Sequence, residues 1–239
     1  MSTGQLEQAV GWRRHNERVT TTSTNSGRPK ANEGGGGTRR RGKGSPALAS
    51  ERREHLVKLA AELFAEKGFQ ATTVRNIAEE AGILSGSLYH HFDSKESIVD
   101  EILSGFFTEI MSAYQGVIDQ GMSPRDTIAG LVRLAFGTLE PHRAAITVMQ
   151  NDWNYLKGMD RFAYLTKSED EVEKMWVDTI KAGQKDGSFR EDIDPKLTYR
   201  MIRDTVWVAV RWFKPGGRLN SKGLAEHYLK VMFDGINTH

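Results

Sequence analysis

Residues 71–96 read ATTVRNIAEEAGILSGSLYHHFDSKE, and the order of signals in this stretch decides the fold. Thr72 or Thr73 can cap a helix on which Val74, Ile77, Ala78 and Ala81 recur at the i, i+3, i+4, i+7 spacing of one buried stripe, and Gly82 then stops it. A second and much shorter helix is predicted over residues 85–91, opening with the small residues Ser85, Gly86 and Ser87 and closing with the rings of Tyr89, His90, His91 and Phe92. Asp93 or Ser94 can cap the helix after that, and Asp93 with Glu96 has capping-box spacing. Two helices joined through Ala-Gly-Ile, the second only about two turns long, have the layout of a helix-turn-helix whose second helix enters the major groove of DNA.

The residue types in the motif divide by task. Ser85, Gly86 and Ser87 keep the start of the second helix slim enough to approach base edges and the sugar-phosphate chain. Leu88 and Phe92, four apart, face inward and lock the helix onto Val74, Ile77 and Leu63. Tyr89 and His90 point outward, where a phenol and an imidazole can donate to phosphates or bases; the bland alternative for Tyr89 is that its ring merely covers the helix. Lys95, beside the free amides that start the fourth helix, and Thr73 with Arg75 at the start of the second helix are further candidates for phosphate contact. His90 and His91 are adjacent, so a helix splays them apart, and no metal site is expected there.

The helical period continues on both sides. Leu56, Leu59, Ala60, Leu63 and Phe64 form the stripe of a first helix from about residue 51, with Gly68 at its C-terminal end. Ile98, Ile102, Leu103, Phe106 and Ile110 give the fourth helix a long apolar face. Beyond Gly121, helices are predicted after Pro124, after Pro141, and over about 169–184, 195–213 and 221–236. No alternating pattern lasts long enough to make a strand. The expected fold is all-α: a helix-turn-helix DNA-binding domain at residues 51–100, joined through a helix to a C-terminal helical bundle at 101–239 that serves for ligand binding and dimerisation.

Charge and composition bound the rest. The formal net charge of +2 hides a split, +6 over residues 1–50 against −4 over 51–239. Residues 1–50 are polar and Gly-rich, with TTTSTNSG and GGGG, and read as a disordered basic tail. Its run Arg39, Arg40, Arg41, Lys43 is either a flexible arm on DNA phosphates or a solvated extension. The absence of cysteine removes disulfides, thiolate metal sites and Cys nucleophiles. No apolar run approaches the ~20 residues of a spanning helix, and no signal-peptide core opens the chain, so a cytoplasmic protein with no membrane partner is expected. No cofactor is expected.

The stretch TTVRNIAEEAGILSGSLYHHFDSKESIV resembles the DNA-binding signature of the TetR family of bacterial one-component regulators, over about residues 52–102. Two positions depart from that signature: Leu84 stands where the family often has a capping Ser, and Ser85 where it often has a basic residue. GQKDGSFREDIDPKLTYRMI, residues 183–202, resembles a family pattern in which two antiparallel helices build a homodimer interface, and the resemblance implies a palindromic double-stranded operator held by a homodimer.

A regulator needs a second input. In MIRDTVWVAVRWF, residues 201–213, the helix is apolar almost all round, which predicts burial, yet Arg203, Trp207 and Arg211 recur at spacings of four on one face. Buried guanidinium groups need anionic partners: a carboxylate such as Asp204 or Glu173, or an anionic ligand. Trp153, Tyr164 and Trp176 are further candidates for a ligand cavity, although rings at helical spacing are most often core. GILSGSLYHHF, KMWVD and RMIRDTVWVAVRWFKPGG together resemble the KstR-type branch of the family, repressors of actinobacterial steroid and cholesterol catabolism. That resemblance implies an effector that is an acyl-CoA thioester of a steroid C/D-ring remnant, with Arg203, Trp207 and Arg211 as its ligand positions. The competing readings are a TetR-type regulator of another acyl-CoA or lipid pathway, an activator, an enzyme acting on acyl-CoA, or an architectural DNA-binding protein. The enzyme would need a nucleophile or acid-base constellation, and no GxSxG, HExxH or Walker-type motif is present.

Overall fold

The computed structural model describes residues 46–236, and among these every regular element is helical. The predicted disordered tail and its basic run lie outside the described residues, apart from residues 46–50, which are helical. Helix α1 spans Pro46–Lys67 and so begins before the predicted Glu51; a proline at the first helical position followed by Ala47, Leu48 and Ala49 favours that earlier start. Leu56, Ala60, Leu63 and Phe64 are buried as one stripe, and Gly68 ends the helix in the left-handed region at φ 84°.

The two helices of the motif follow. α2 spans Val74–Glu80 and buries Ile77 and Ala78. Thr73 is its cap, in a reciprocal box with Asn76. α3 spans Ser85–Leu88, with residues 89–91 in turns, shorter than the predicted 85–91. α4, Lys95–Ile118, is the longest helix described at 24 residues, about 36 Å at 1.5 Å per residue. Its box is Ser94 with Ser97, replacing the Asp93 and Glu96 pairing expected from spacing: the Ser94 hydroxyl accepts from the Ser97 amide at 3.2 Å, and the Ser97 hydroxyl from the Ser94 amide at 3.3 Å.

The remaining helices are α5 (Pro124–Gly137), α6 (Arg143–Leu156), α7 (Tyr164–Lys185), α8 (Pro195–Val208) and α9 (Ser221–Asp234). α5 and α8 each open with Pro behind a side-chain cap, Ser123 and Asp194 respectively. α8 ends at Val208 and tightens into a 3₁₀ turn over Ala209–Arg211 instead of running on to residue 213. Two glycines are required by packing. A Cβ on Gly130 would lie 2.8 Å from Val117, where α4 and α5 press together, and one on Gly183 would lie 2.1 Å from the ring of Phe189, which folds back onto α7 and stacks on Phe233 of α9. One core joins the motif to the bundle, running along α4 from Ile98 and Leu103 to Tyr114 and Val117.

Candidate nucleic-acid interface and effector site

At the end of the molecule formed by α2 and α3, inward and outward residues separate as the motif demands. Leu88 and Phe92 are buried, while Tyr89 is 56% exposed and His90 is exposed. Gly86 is exposed and Ser85 and Ser87 are half-buried. Arg75 stands out from α2 with its side chain 81% exposed, its Nε donating to Glu79 at 2.8 Å. Thr73 is exposed, but its hydroxyl donates to Asn76 Oδ1 at 2.7 Å and accepts from the Asn76 amide at 3.2 Å, so its proton is committed to the cap.

Lys95 is placed differently from its expected role at a phosphate. Its ammonium donates to the carbonyls of Phe69 (3.0 Å), Gln70 (3.3 Å) and Thr72 (3.2 Å), and lies over the Phe69 ring at 4.4 Å. An ammonium has three protons, and these three acceptors use them all. The side chain therefore closes the carbonyl ends of the α1–α2 turn instead of reaching outward.

The bundle encloses a cavity of about 20 Å³ lined by Phe106, Phe107, Ile110 and Tyr114 of α4, Thr138, Glu169 and Val172 of α7, and Tyr199 and Trp207 of α8. Tyr114, Trp176 and Tyr199 form a run of ring contacts behind it, at 5.6 and 6.0 Å between centroids. Burial raises the Tyr114 and Tyr199 phenols far above their ordinary value, which keeps both neutral. Arg203 sits at the edge of this cluster, with Nη1 donating to Glu169 at 2.8 Å, Nε to Asp204 at 3.0 Å, and its guanidinium 5.8 Å from the centre of the Tyr199 ring. The carboxylate partner is thus Glu169 together with the expected Asp204; Glu173 pairs instead with Lys196 at 3.1 Å.

A larger, open groove of about 550 Å³ lies between the end of α4, the start of α5 and α7, floored by Ile118, Met122 and Met175. Its rim carries Glu171 and Asp178, and the one lysine there, Lys174, is held by Asp178 at 2.5 Å. That charge pattern disfavours a polyanion.

Comparisons with known proteins agree along the chain. The profile of bacterial regulatory proteins of the tetR family matches residues 56–102, and that of the tetracyclin repressor-like C-terminal domain matches residues 121–236. The chain is 46% identical to the HTH-type transcriptional repressor KstR2 of Rhodococcus jostii over 78% of its own length and 92% of that protein. The chain belongs to the TetR family. Its fold superposes on the ketosteroid transcriptional regulator KstR2 of Mycobacterium tuberculosis with a TM-score of 0.75, at 44% identity, covering 79% of this chain and 96% of that one. AibR, solved with isovaleryl coenzyme A and operator DNA, shares the fold with a TM-score of 0.68 at 18% identity, covering 76% and 98%. TetR-family members are DNA-binding regulators and not enzymes, so the enzyme alternative falls.

Within this TetR-family regulator, the predicted ligand positions divide. Trp207 lines the cavity, Trp176 backs it and Arg203 edges it. Arg211 is not among the residues that line the cavity. The 3₁₀ turn changes the rotation per residue after Val208 and leaves Arg211 exposed. The expectation of burial all round also fails, since Met201 is 64% and Trp212 57% exposed. Trp153 and Tyr164 are half-buried away from the cavity lining, with the Tyr164 hydroxyl donating to the Asp100 carbonyl at 3.4 Å.

Three residues that bind the reading head to the bundle carried no signal in the sequence. Arg53 of α1 donates to the His91 carbonyl and to Glu101 of α4 (2.6 Å), with its guanidinium 4.2 Å from the centre of the Phe92 ring, which fixes the end of the reading segment. Asp152 of α6 is buried and accepts from the Phe69 amide at 3.2 Å. Arg161, in the turn before α7, reaches Asp93 (3.2 Å) and Asp100 (3.5 Å). Each contact joins residues more than 35 apart in the chain, which is why no local pattern announces them.

Proposed function

We propose that this protein represses steroid-catabolism genes in the cytoplasm, holding a palindromic operator as a homodimer and letting go when a steroid-derived acyl-CoA thioester binds the bundle. The observation that carries the effector half is the cluster of Trp207, Tyr199 and Tyr114 around an apolar cavity with Arg203 at its edge. Rings suit a fused-ring acyl group, and a guanidinium paired with the partly exposed carboxylates of Glu169 and Asp204 can turn to a phosphate or carbonyl. The KstR2 repressors at 44–46% identity support the steroid context.

The size of the cavity supports a mechanism of release. About 20 Å³ is room for one water, whereas drug-sized ligands occupy ~300–1,000 Å³. The closed arrangement cannot hold the thioester, so the ligand binds only where Trp207, Tyr199 and the α4 face have moved apart, and that difference in affinity is what a population shift requires. α4 carries the displacement: Phe106, Phe107, Ile110 and Tyr114 line the cavity, while Lys95 at its other end holds the α1–α2 turn. A shift there changes the spacing of two recognition helices that must meet major grooves ~34–36 Å apart.

Trp207→Leu should fold and bind operator as the parent does, but should need at least tenfold more thioester for release. Titration of labelled operator complexes with steroid-derived and straight-chain acyl-CoA thioesters checks it. Equal response of variant and parent places the effector elsewhere, and indifference of the parent to every CoA thioester removes the effector assignment.

A further inference from the structure

We propose that Leu84 reads a thymine in the operator through its C5-methyl group. The inference rests on the operator-binding reading and adds to it the chemistry of one base contact. Leu84 is 80% exposed, immediately before α3 and outside the core and the partly buried shell around it, whereas its neighbour Ile83 packs against that core. It also occupies the cap position of α3, where φ −73° and ψ 143° are those of a capping residue, yet it makes no side-chain cap hydrogen bond. Ser, Thr, Asp or Asn would satisfy an α3 amide from this position. A leucine therefore forgoes a local hydrogen bond and is left largely uncovered by the described residues.

Gly86 supplies the second observation. Its φ is not in the left-handed region, and a Cβ there would meet no atom within 4 Å, so neither backbone geometry nor internal packing calls for glycine. A glycine in a helix is less favourable than alanine, and on the exposed face of a DNA-reading segment one use of it is to let an outside body come close. Leu84 and Gly86 thus mark one edge of the reading segment as apolar and slim, beside the exposed polar Tyr89 and His90. On DNA, phosphates and base edges offer hydrogen-bonding groups to polar side chains. The distinctive apolar group that bases present in the major groove is the thymine methyl, and it is the partner that distinguishes one base for a leucine.

The test begins by selecting an operator from random duplexes with the full chain, then replacing each thymine singly by deoxyuridine, which keeps the base pair and removes only the methyl. The parent should lose roughly three- to tenfold in affinity at one thymine of each half-site, the order expected for one buried methyl. Leu84→Ser should lose its preference for thymine over uracil at that position and keep every other preference. Gly86→Ala should bind the operator at least severalfold more weakly with no fall in melting temperature, since the added methyl meets nothing inside the protein. If no thymine loses its methyl effect in Leu84→Ser, or if Gly86→Ala binds as the parent does, the inference is overturned while operator binding stands. A chain that enriches no sequence overturns both.

Discussion

His142, at the start of α6, ties that helix to α4. Its Nε2 lies 2.8 Å from Glu109 Oε2, and its ring meets that of Phe106, a cavity residue of α4, edge-on at 5.3 Å. Burial lowers its pKa from the usual 6.5, with the Glu109 charge pulling the other way, so the neutral ring donating to Glu109 is the native form. A group that binds its proton less readily folded than unfolded makes the unfolded chain the better proton acceptor as pH falls through 6.5. The contribution to stability is complete above that value and declines below it. Thermal melts between pH 7.5 and 5.5, compared with His142→Asn, should show a shallower decline in the variant; parallel declines would remove His142 from the account.

Lys95 shows how the same side chain can be read in two ways. Beside a helix N-terminus in a DNA-binding motif, a lysine suggests a phosphate contact, but the chain had three carbonyls within reach. If the carbonyls hold it, Lys95→Met should lower stability by roughly 1.5–3 kcal/mol, the range for hydrogen bonds to a charged group. The slope of log affinity against log salt should then stay unchanged. A phosphate contact would reduce that slope by about one instead. Denaturant melts and operator binding at several salt concentrations decide between them.

At the scale of elements, caps and breakers placed most helices and tertiary contact moved their ends. α2 starts behind Thr73, α5 behind Ser123 and α8 behind Asp194 because each hydroxyl or carboxylate accepts from the amide three residues on. α4 kept its start but exchanged partners, since Ser94 and Ser97 satisfy each other's amides while Asp93 also reaches Arg161. α8 ended early because the chain tightens at Ala209, which separates Arg211 from Arg203 and Trp207. The loop between α7 and α8 shows tertiary contact at work: Gly183 is a glycine because the ring of Phe189, six residues on, occupies the space of its Cβ. The grip on the α1–α2 turn is likewise two-sided, Lys95 of α4 on its carbonyls and Asp152 of α6 on the Phe69 amide. That turn is where α4 and α6 of the bundle hold the reading head.

At the scale of the whole molecule, apolar side chains remain uncovered. Leu197, Met201 and Val208 recur on one face of α8, followed by Trp212 and Leu219, and Val231 lies on α9, each at least 40% exposed. The stretch 183–202 that resembles the family's dimer pattern contains Leu197 and Met201, and among the described residues α7 has no large exposed hydrophobic while α9 has one. We expect a second copy to cover the exposed face of α8 together with Val231 of α9. Met201→Glu should turn dimers into monomers in sedimentation at micromolar concentration, with operator affinity falling at least a hundredfold as the second half-site grip is lost. A dimer unaffected by that charge would put the interface elsewhere.

The sequence by itself determined the helices, the motif and its family, and which residues of α3 face inward, because periodicity, caps and turn glycines act within a few residues of one another. The same local logic placed Trp207 and Arg203 on one stretch of α8. It did not determine that the stretch is half exposed, that Arg203 answers to Glu169, or that Phe106, Tyr114 and Tyr199 close the cavity. Those facts join α4, α7 and α8 across long spans of chain. A side chain's partner is chosen by which elements pack side by side, and a helical stripe states that a face is covered without stating by what.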